Sequence, residues 1–505
     1  MSPAQAPNQP NRRQDATQGS RELRASQRIA VGTLARSAGE IVAKVASLVF
    51  YIALARELGQ ALFGDFIFGM SLSAVLFIGA GLGLNELLSR EVARDPRRVD
   101  DLFWNIVAIR WLGLLVLPAI VAIIVALKGY SAETAAAIVV ISIGVGLDFQ
   151  SNTLFAVFQG LERNHHVATS LIVNRISTAA MVVAVLAAGG GILPAAAVFT
   201  LGSFLGVATA YVLMRRYVVR PHLELQPRRW AALARSGLPL GFVGLLNQSI
   251  LRLTVVMLGF LAGSAAVGEY GAAFRLIEAM MFVPWAFGGA ILPWFSRHTG
   301  EGIVSLARGY EMVTKTMVTL LLPVALLLIV YAEPLIELLY GDQYDGAVTP
   351  LRLLGIMTLL FGLNSMATTI SIGRDRPQDF TRPATVVLAQ NIVFAFILIP
   401  PYGADGAALS LVISSALLFA LTFRNLTRLV GTISPVRVIV APLISAAALA
   451  GMAVLLSGVP WVLAATAAVA AYGAAFLVVE RLLYPSDFAF YAGVLRLRRE
   501  GAAPG

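Results

Sequence analysis

The sequence predicts an all-α integral membrane protein with 14 transmembrane helices: two six-helix lobes around a central cavity, plus a C-terminal helix pair. Three observations lead there. Charged residues make up 13% of the 505-residue chain and apolar ones 58%, against about 25% charged in an ordinary soluble domain. Apolar stretches near or above about 20 residues, enough to cross a hydrocarbon core at helical rise, recur fourteen times. The connections between them alternate in charge. The formal net charge of +10 follows from that alternation, since cytoplasmic loops collect Lys and Arg, and calls for no nucleic-acid partner.

Residues 1–30 are rich in Gln, Pro, Asn, Ser and Arg and lack an apolar core. They predict a disordered basic cytoplasmic tail, not a signal peptide. Spans follow at about 32–55, 62–88, 104–127, 135–160, 167–188 and 192–214, an N-lobe over 31–214. A basic cytoplasmic linker, 215–236, carries Arg215, Arg216, Arg220, Arg228, Arg229 and Arg235. Spans at 237–262, 268–296, 313–331, 350–373, 383–400 and 404–423 make a C-lobe over 237–424. Two more, 437–457 and 460–483, fill 425–484 before a cytoplasmic tail, 485–505.

Even-numbered connections hold Arg90, Arg94, Arg97 and Arg98, then Arg163, then the linker, then Arg297 and Arg308. Odd-numbered ones hold only Arg56 and Lys128, against Glu57, Asp65, Glu133, Glu269, Glu333, Glu337, Asp342, Asp345 and Asp405. That asymmetry places the even connections and both termini in the cytoplasm, with the chain in the cell membrane. An internal repeat is also visible. Ala35-Arg36-Ser37 answers Ala234-Arg235-Ser236, Gly64-Asp65-Phe66 answers Gly268-Glu269-Tyr270, and Ser89-Arg90 answers Ser296-Arg297. Gly79, Gly81 and Gly83 in the second span match Gly288 and Gly289 in the eighth. Paired interruptions of this kind point to a transporter's binding site.

The eighth span, EYGAAFRLIEAMMFVPWAFGGAILPWFSR (269–297), carries Arg275 and Glu278 and is interrupted by Pro284, Gly288, Gly289 and Pro293. Charge at membrane depth faces protein interior or a wet cavity, and broken backbone survives there only where it is shielded or lines a cavity. Arg275 and Glu278, three apart, share a helix face. They read either as a structural ion pair or as a ligand facing the cavity, Arg275, with its tuning carboxylate. Arg36, Glu40 and Lys44 form one stripe of the first span, in which Arg36 alternatively snorkels to the interface. Arg252 follows the polar patch Asn247-Gln248-Ser249.

Arg275, Arg252, Lys44 and Arg36 are therefore the candidate substrate-binding residues, and Glu278, Glu40 and Asp148 the candidates for tuning or coupling. Asp148 either binds a cation or partners an arginine. Arg110 and Arg175, within about two turns of the cytoplasmic end, read as snorkelling. The chain has no cysteine, which excludes thiolate chemistry and Cys-ligated metal. His165-His166 read as surface histidines lacking a third ligand, and Asp342 and Asp345 lack calcium-loop spacing. No metal, cofactor or catalytic residue is expected.

IALARELGQALFGDFIFGMSLSAVLFIGAGLGLNELLSREVAR (52–94), LYGDQYDGAVTPLRLLGIMTLLFGLNSMATTISIGR (339–374) and ILIPPYGADGAALSLVIS (397–414) resemble the helices of bacterial polysaccharide transporters. These are Wzx-type oligosaccharide flippases, in the superfamily of the lipid II flippases and the multidrug and toxin extrusion antiporters. The resemblance implies two lobes around a central cavity and no enzymatic activity. It implies movement of a polyprenyl-diphosphate-linked oligosaccharide from the cytoplasmic to the external leaflet, for surface polysaccharide biosynthesis, with Arg275 as a ligand of the diphosphate. Membrane lipid, a polysaccharide polymerase and glycosyltransferases are the implied partners. The competing expectation is a cation-coupled drug or metabolite antiporter, which would want carboxylates where this chain carries more bases than acids. A membrane glycosyltransferase or polymerase would need catalytic carboxylates on a sizeable loop, and 215–236 is nearly all basic.

Overall fold

The structure, a computed structural model, describes the backbone of residues 12–488 except 282, 285, 286, 288–302, 375, 377, 432 and 433. Side chains are described from Gly39 onward, apart from those positions and 240, 243, 245, 247, 303–306, 429 and 430. Arg36, Asn247, Gly288, Gly289, Pro293 and Arg297 thus fall outside the described side chains. Among the described residues every regular element is helical.

The first helix, α1 (Arg12–Ala80), breaks at Gly59, where φ is 74°. It starts inside the stretch expected to be a disordered tail, because Arg, Glu, Leu, Ala and Gln, all good helix formers, dominate after Arg12. Its second arm ends at a tight turn, with Leu82 and Gly83 both at positive φ, so the expected span 62–88 divides into that arm and α2 (Leu84–Arg94).

There follow α3 (Arg98–Lys128), α4 (Ala132–Gly160), α5 (Asn164–Ala187) and α6 (Ile192–Leu213). Glycine ends α3 at Gly129, in the left-handed region, where it costs no Cβ strain. Ser131 caps the N-terminus of α4 through the Thr134 amide.

The basic linker is not loose. Asn105 of α3 donates to the Glu224 carbonyl and accepts from the Gln226 amide and Trp230 Nε1. Beyond it come α7 (Trp230–Leu261), α8 (Gly263–Met280), α9 (Ile303–Val330), the short α10 (Ala332–Tyr340) and α11 (Val348–Gly373). α12 (Gln378–Val430) breaks at Gly403, just past Pro400-Pro401, and α13 (Pro435–Leu455) and α14 (Trp461–Leu483) close the chain. Among the described residues ten helical segments are long and apolar enough to cross a membrane. Those within α1 and α12 run to 42 and 51 residues, about twice the length one crossing needs.

The repeat seen in sequence has a structural counterpart. Gly59 and Gly263, 204 positions apart, both adopt positive φ and separate the helices of each first pair. The arms of α1 pack against α7 and α8, so the two halves meet along equivalent helices. At the end of the bundle carrying these glycines the halves are latched. Ser264 Oγ donates to Asp65, and Gln60 Nε2 donates to Glu269 at 3.0 Å. Since 264 follows 60, and 269 follows 65, by the same 204 positions, each half supplies one carboxylate and one donor. A Cβ on Gly64 would lie 1.8 Å from the Ser264 carbonyl oxygen, so only glycine allows this approach.

α13 and α14 are tied on by a buried ionic network. Lys315 of α9 pairs with Glu480 of α14 at 2.5 Å and with Asp487 at 3.0 Å. Arg308 pairs with Asp487, and Arg437 lies 3.4 Å from Glu311. Lys315 itself is 1% exposed.

Candidate functional site

Between the two halves lies a cavity of about 1290 Å³. The first half lines it with α1 to α5, the second with α7 and α8. Its deep wall brings together charges the sequence leaves far apart. Arg275 Nη1 bonds the Glu278 carboxylate, and Arg252 Nη2 reaches the same carboxylate at 3.2 Å. Arg275 is 4% exposed and lies over the Tyr51 ring, 3.9 Å from its centroid, where the π face adds further attraction for the cation. Lys44 lines the same cavity and shares the field of Glu278, Arg175, Arg252 and Arg275.

Asp148 is held by Arg175 at 3.2 Å and by Asn174 Nδ2 at 3.0 Å. The arginine-partner reading of Asp148 is thus the one the structure displays. The whole lining counts six cations, Lys44, Arg90, Arg110, Arg175, Arg252 and Arg275, against four carboxylates, Glu40, Glu86, Asp148 and Glu278. One carboxylate serves two guanidiniums, and the lining keeps a positive excess.

Of the residues expected at a site, Arg275, Arg252, Lys44, Glu278, Glu40 and Asp148 all line the cavity; the Arg36 side chain lies outside the described residues. Arg110 and Arg175 do not snorkel. Both line the cavity, and Arg110 donates to the Phe149 carbonyl on α4. Position along a helix fixes depth but not which way each face turns. His166 corrects the surface-histidine expectation: it is buried and packs its ring near Phe158 and Tyr217. The sequence reading missed Tyr51, which no charge or glycine flags. Among the described residues no group of three or more His, Asp or Glu could hold a metal ion.

At the arginine-rich end the halves meet again. A Cβ on Gly83 would lie 2.1 Å from the Gly237 carbonyl oxygen and 2.5 Å from the Gly241 nitrogen. The cavity lining continues past this contact to Ser89, Arg90 and Ala93 on α2.

Residues 29–299, more than half of the chain, match the family model described as "Polysaccharide biosynthesis protein". The chain belongs to this family. It is 22% identical over 384 residues, 73% of its own length, to the Escherichia coli (strain K12) protein named "Putative O-antigen transporter", and covers 89% of that protein. It is 26% identical over 201 residues to "Probable flippase AglR" of Haloferax volcanii, where the match takes in 39% of this chain and 42% of the relative. An uncharacterized membrane protein of Methanocaldococcus jannaschii is 24% identical over 159 residues, and only 31% of each chain is covered.

Among solved structures, the lipid II flippase MurJ in an inward closed conformation superposes with a TM-score of 0.73 at 14% identity. That match covers 89% of this chain and 99% of MurJ. An inward-facing multidrug resistance MATE transporter of the MOP superfamily gives 0.63 at 15% identity, over 77% and 95% of the two chains. The fold is that of MurJ and the MATE transporters.

Proposed function

We propose that the protein is a flippase that carries a polyprenyl-diphosphate-linked oligosaccharide from the cytoplasmic to the external leaflet, for surface polysaccharide biosynthesis. The observation that carries this is the positive excess of the cavity lining, six cations against four carboxylates, with Arg252 and Arg275 sharing the carboxylate of Glu278. A diphosphate cannot cross hydrocarbon without losing its hydration, and guanidinium forks match phosphate oxygens bidentately. Arg275 and Arg252 act as the main diphosphate ligands and Lys44 as a point charge beside them. Arg36, about two helical turns before Lys44 in sequence, serves as the first contact at the entrance in this reading. Glu278 and Glu40 tune the cations, and Asp148 orients Arg175. An organic-cation antiporter would need the opposite charge balance.

In this reading the chain makes 14 crossings. α1 and α12 supply two each, and the expected eighth crossing, 268–296, lies partly outside the described residues. The N-lobe is 31–214 and the C-lobe 237–424, joined by the linker 215–236, with 425–484 as a terminal pair. The arginine-rich end, with both termini, faces the cytoplasm. The Asp65–Ser264 and Gln60–Glu269 latch closes the external side, and the lobes rock to open one side at a time. The carrier's lipid tail stays in the bilayer throughout. With the cell interior negative, outward movement of each uncompensated negative charge gains about 2.3 kcal/mol per 100 mV.

A deletion strain tests the reading. Lipid-linked oligosaccharide should accumulate and surface polysaccharide disappear, with recovery on wild-type protein but not on Arg275→Ala. Normal polysaccharide combined with hypersensitivity to organic cations would instead establish the antiporter.

A further inference from the structure

The cavity has a second wall that the diphosphate ligands leave unused. α4 turns Asp148, Asn152, Phe155 and Gln159 towards it, at helical spacings of three and four that share one face. The face runs from mid-helix to the arginine-rich end, about 16 Å at 1.5 Å per residue. Asp148 at its deep end is taken by Arg175 and Asn174. Asn152 and Gln159 are exposed to the cavity, and neither side chain hydrogen-bonds a described residue. Beside them, Asn85 and Asn164 also line the cavity, and the Oδ1 of each is buried without a partner among the described residues. The facing surface on α7 is different in kind: Leu238, Gly241, Phe242 and Gly244, with the Phe242 side chain exposed.

Buried amide oxygens without a partner are costly unless water or a ligand satisfies them. An amide offers two donors and an acceptor, a set suited to neighbouring hydroxyls rather than to phosphate, and it adds no charge that would slow release. We propose that this wall is the glycan subsite. It takes the hydroxyl-bearing sugars next to the diphosphate, with Asn152 and Gln159 as specificity-determining contacts and Phe242 covering a sugar face from the other lobe. The diphosphate sits at Arg252 and Arg275, and the sugar chain runs along α4 towards the arginine-rich end. Arg110 and Glu86, also on this side of the cavity, border the subsite. The assignment rests on the flippase reading and adds where the sugar lies.

The test compares two probes on purified protein: bare undecaprenyl diphosphate, and the lipid-linked oligosaccharide fraction extracted from the source cells. Wild-type protein should bind the glycosylated fraction at least about tenfold more tightly, the worth of one or two net hydrogen bonds. The double variant Asn152→Leu/Gln159→Leu should lose that preference while binding the bare lipid as wild type does, which also shows that it is folded. If the leucine pair does not purify, Asn152→Ser/Gln159→Ser removes the amides with less bulk. The glycan subsite is overturned if wild type shows no preference, or if the variant keeps it. Failure of wild type to bind either lipid would bring down the flippase reading itself.

Discussion

Replacing Glu278 by glutamine removes the one carboxylate that Arg252 and Arg275 share while keeping the side chain's size. The group of Lys44, Arg175, Arg252 and Arg275 with Asp148 and Glu278 then goes from a formal +2 to +3. Taking away one partner of a buried ion pair costs about 3–5 kcal/mol, and water in the cavity reduces this towards the lower end. The variant should therefore melt well below wild type. It should also be rescued by the chemistry proposed for the substrate. Inorganic diphosphate at about 100 times its Kd adds roughly 2.7 kcal/mol to whichever form binds it, and the variant, with its carboxylate gone, should bind it more tightly than wild type does. Thermal unfolding in detergent with and without inorganic diphosphate reads both effects. An unchanged melting temperature in Glu278→Gln, or a variant that diphosphate stabilises no more than wild type, would refute the shared-carboxylate argument.

Arg275→Ala should weaken binding of undecaprenyl diphosphate by about 30-fold or more, from roughly 2 kcal/mol for a charge-assisted bond; Arg275→Lys should fall between, since lysine cannot bind bidentately. Titration of the purified variants checks the order. Gly64→Ala should force the latched end apart, because the new Cβ would meet the Ser264 carbonyl. The chain has no cysteine, so Ser47→Cys in the cavity gives a single reporter, and a membrane-impermeant maleimide added outside should label it faster in the Gly64→Ala background. Burial alone would raise the Asp487 carboxyl, but its bond to Lys315 and the charges of Lys315, Arg308 and Arg437 hold it below its ordinary value of 3.8. Its stabilisation is thus complete above that value and lost as pH falls through the lower, folded-state one. Asp487→Asn should melt lower than wild type at pH 7, and the gap should close in strong acid.

What the sequence discloses here is depth and charge. Arg275 and Glu278 stand out because two ionisable residues three apart in an apolar span have few places to go, and the structure pairs them. Gly403 after Pro400-Pro401 and Gly59 before the second arm mark real breaks. Azimuth is what one chain cannot reveal. Arg110 and Arg175 lie near one end of their helices and so read as snorkelling, yet both turn into the cavity because α3 and α5 present those faces to α4. The latch was half legible: the Gly64-Asp65 and Gly268-Glu269 match was visible, but that each carboxylate reaches across to the other half depends on how closely the glycines let the backbones approach. The Lys315 network hides for a related reason, since its partners, Glu480 on α14 and Asp487 just past it, lie more than 160 residues away on a segment whose docking the composition does not specify.

The most direct measurement is transbilayer movement itself. Purified protein is reconstituted into vesicles carrying lipid-linked oligosaccharide with a fluorescent mark on the sugar, and a membrane-impermeant reductant added outside counts the label exposed there over time. The account predicts protein-dependent loss of the protected half of the signal, abolished by Arg275→Ala and accelerated when a potential drives negative charge towards the outside. A protected fraction that persists in vesicles containing folded wild-type protein, with the potential applied, would contradict it.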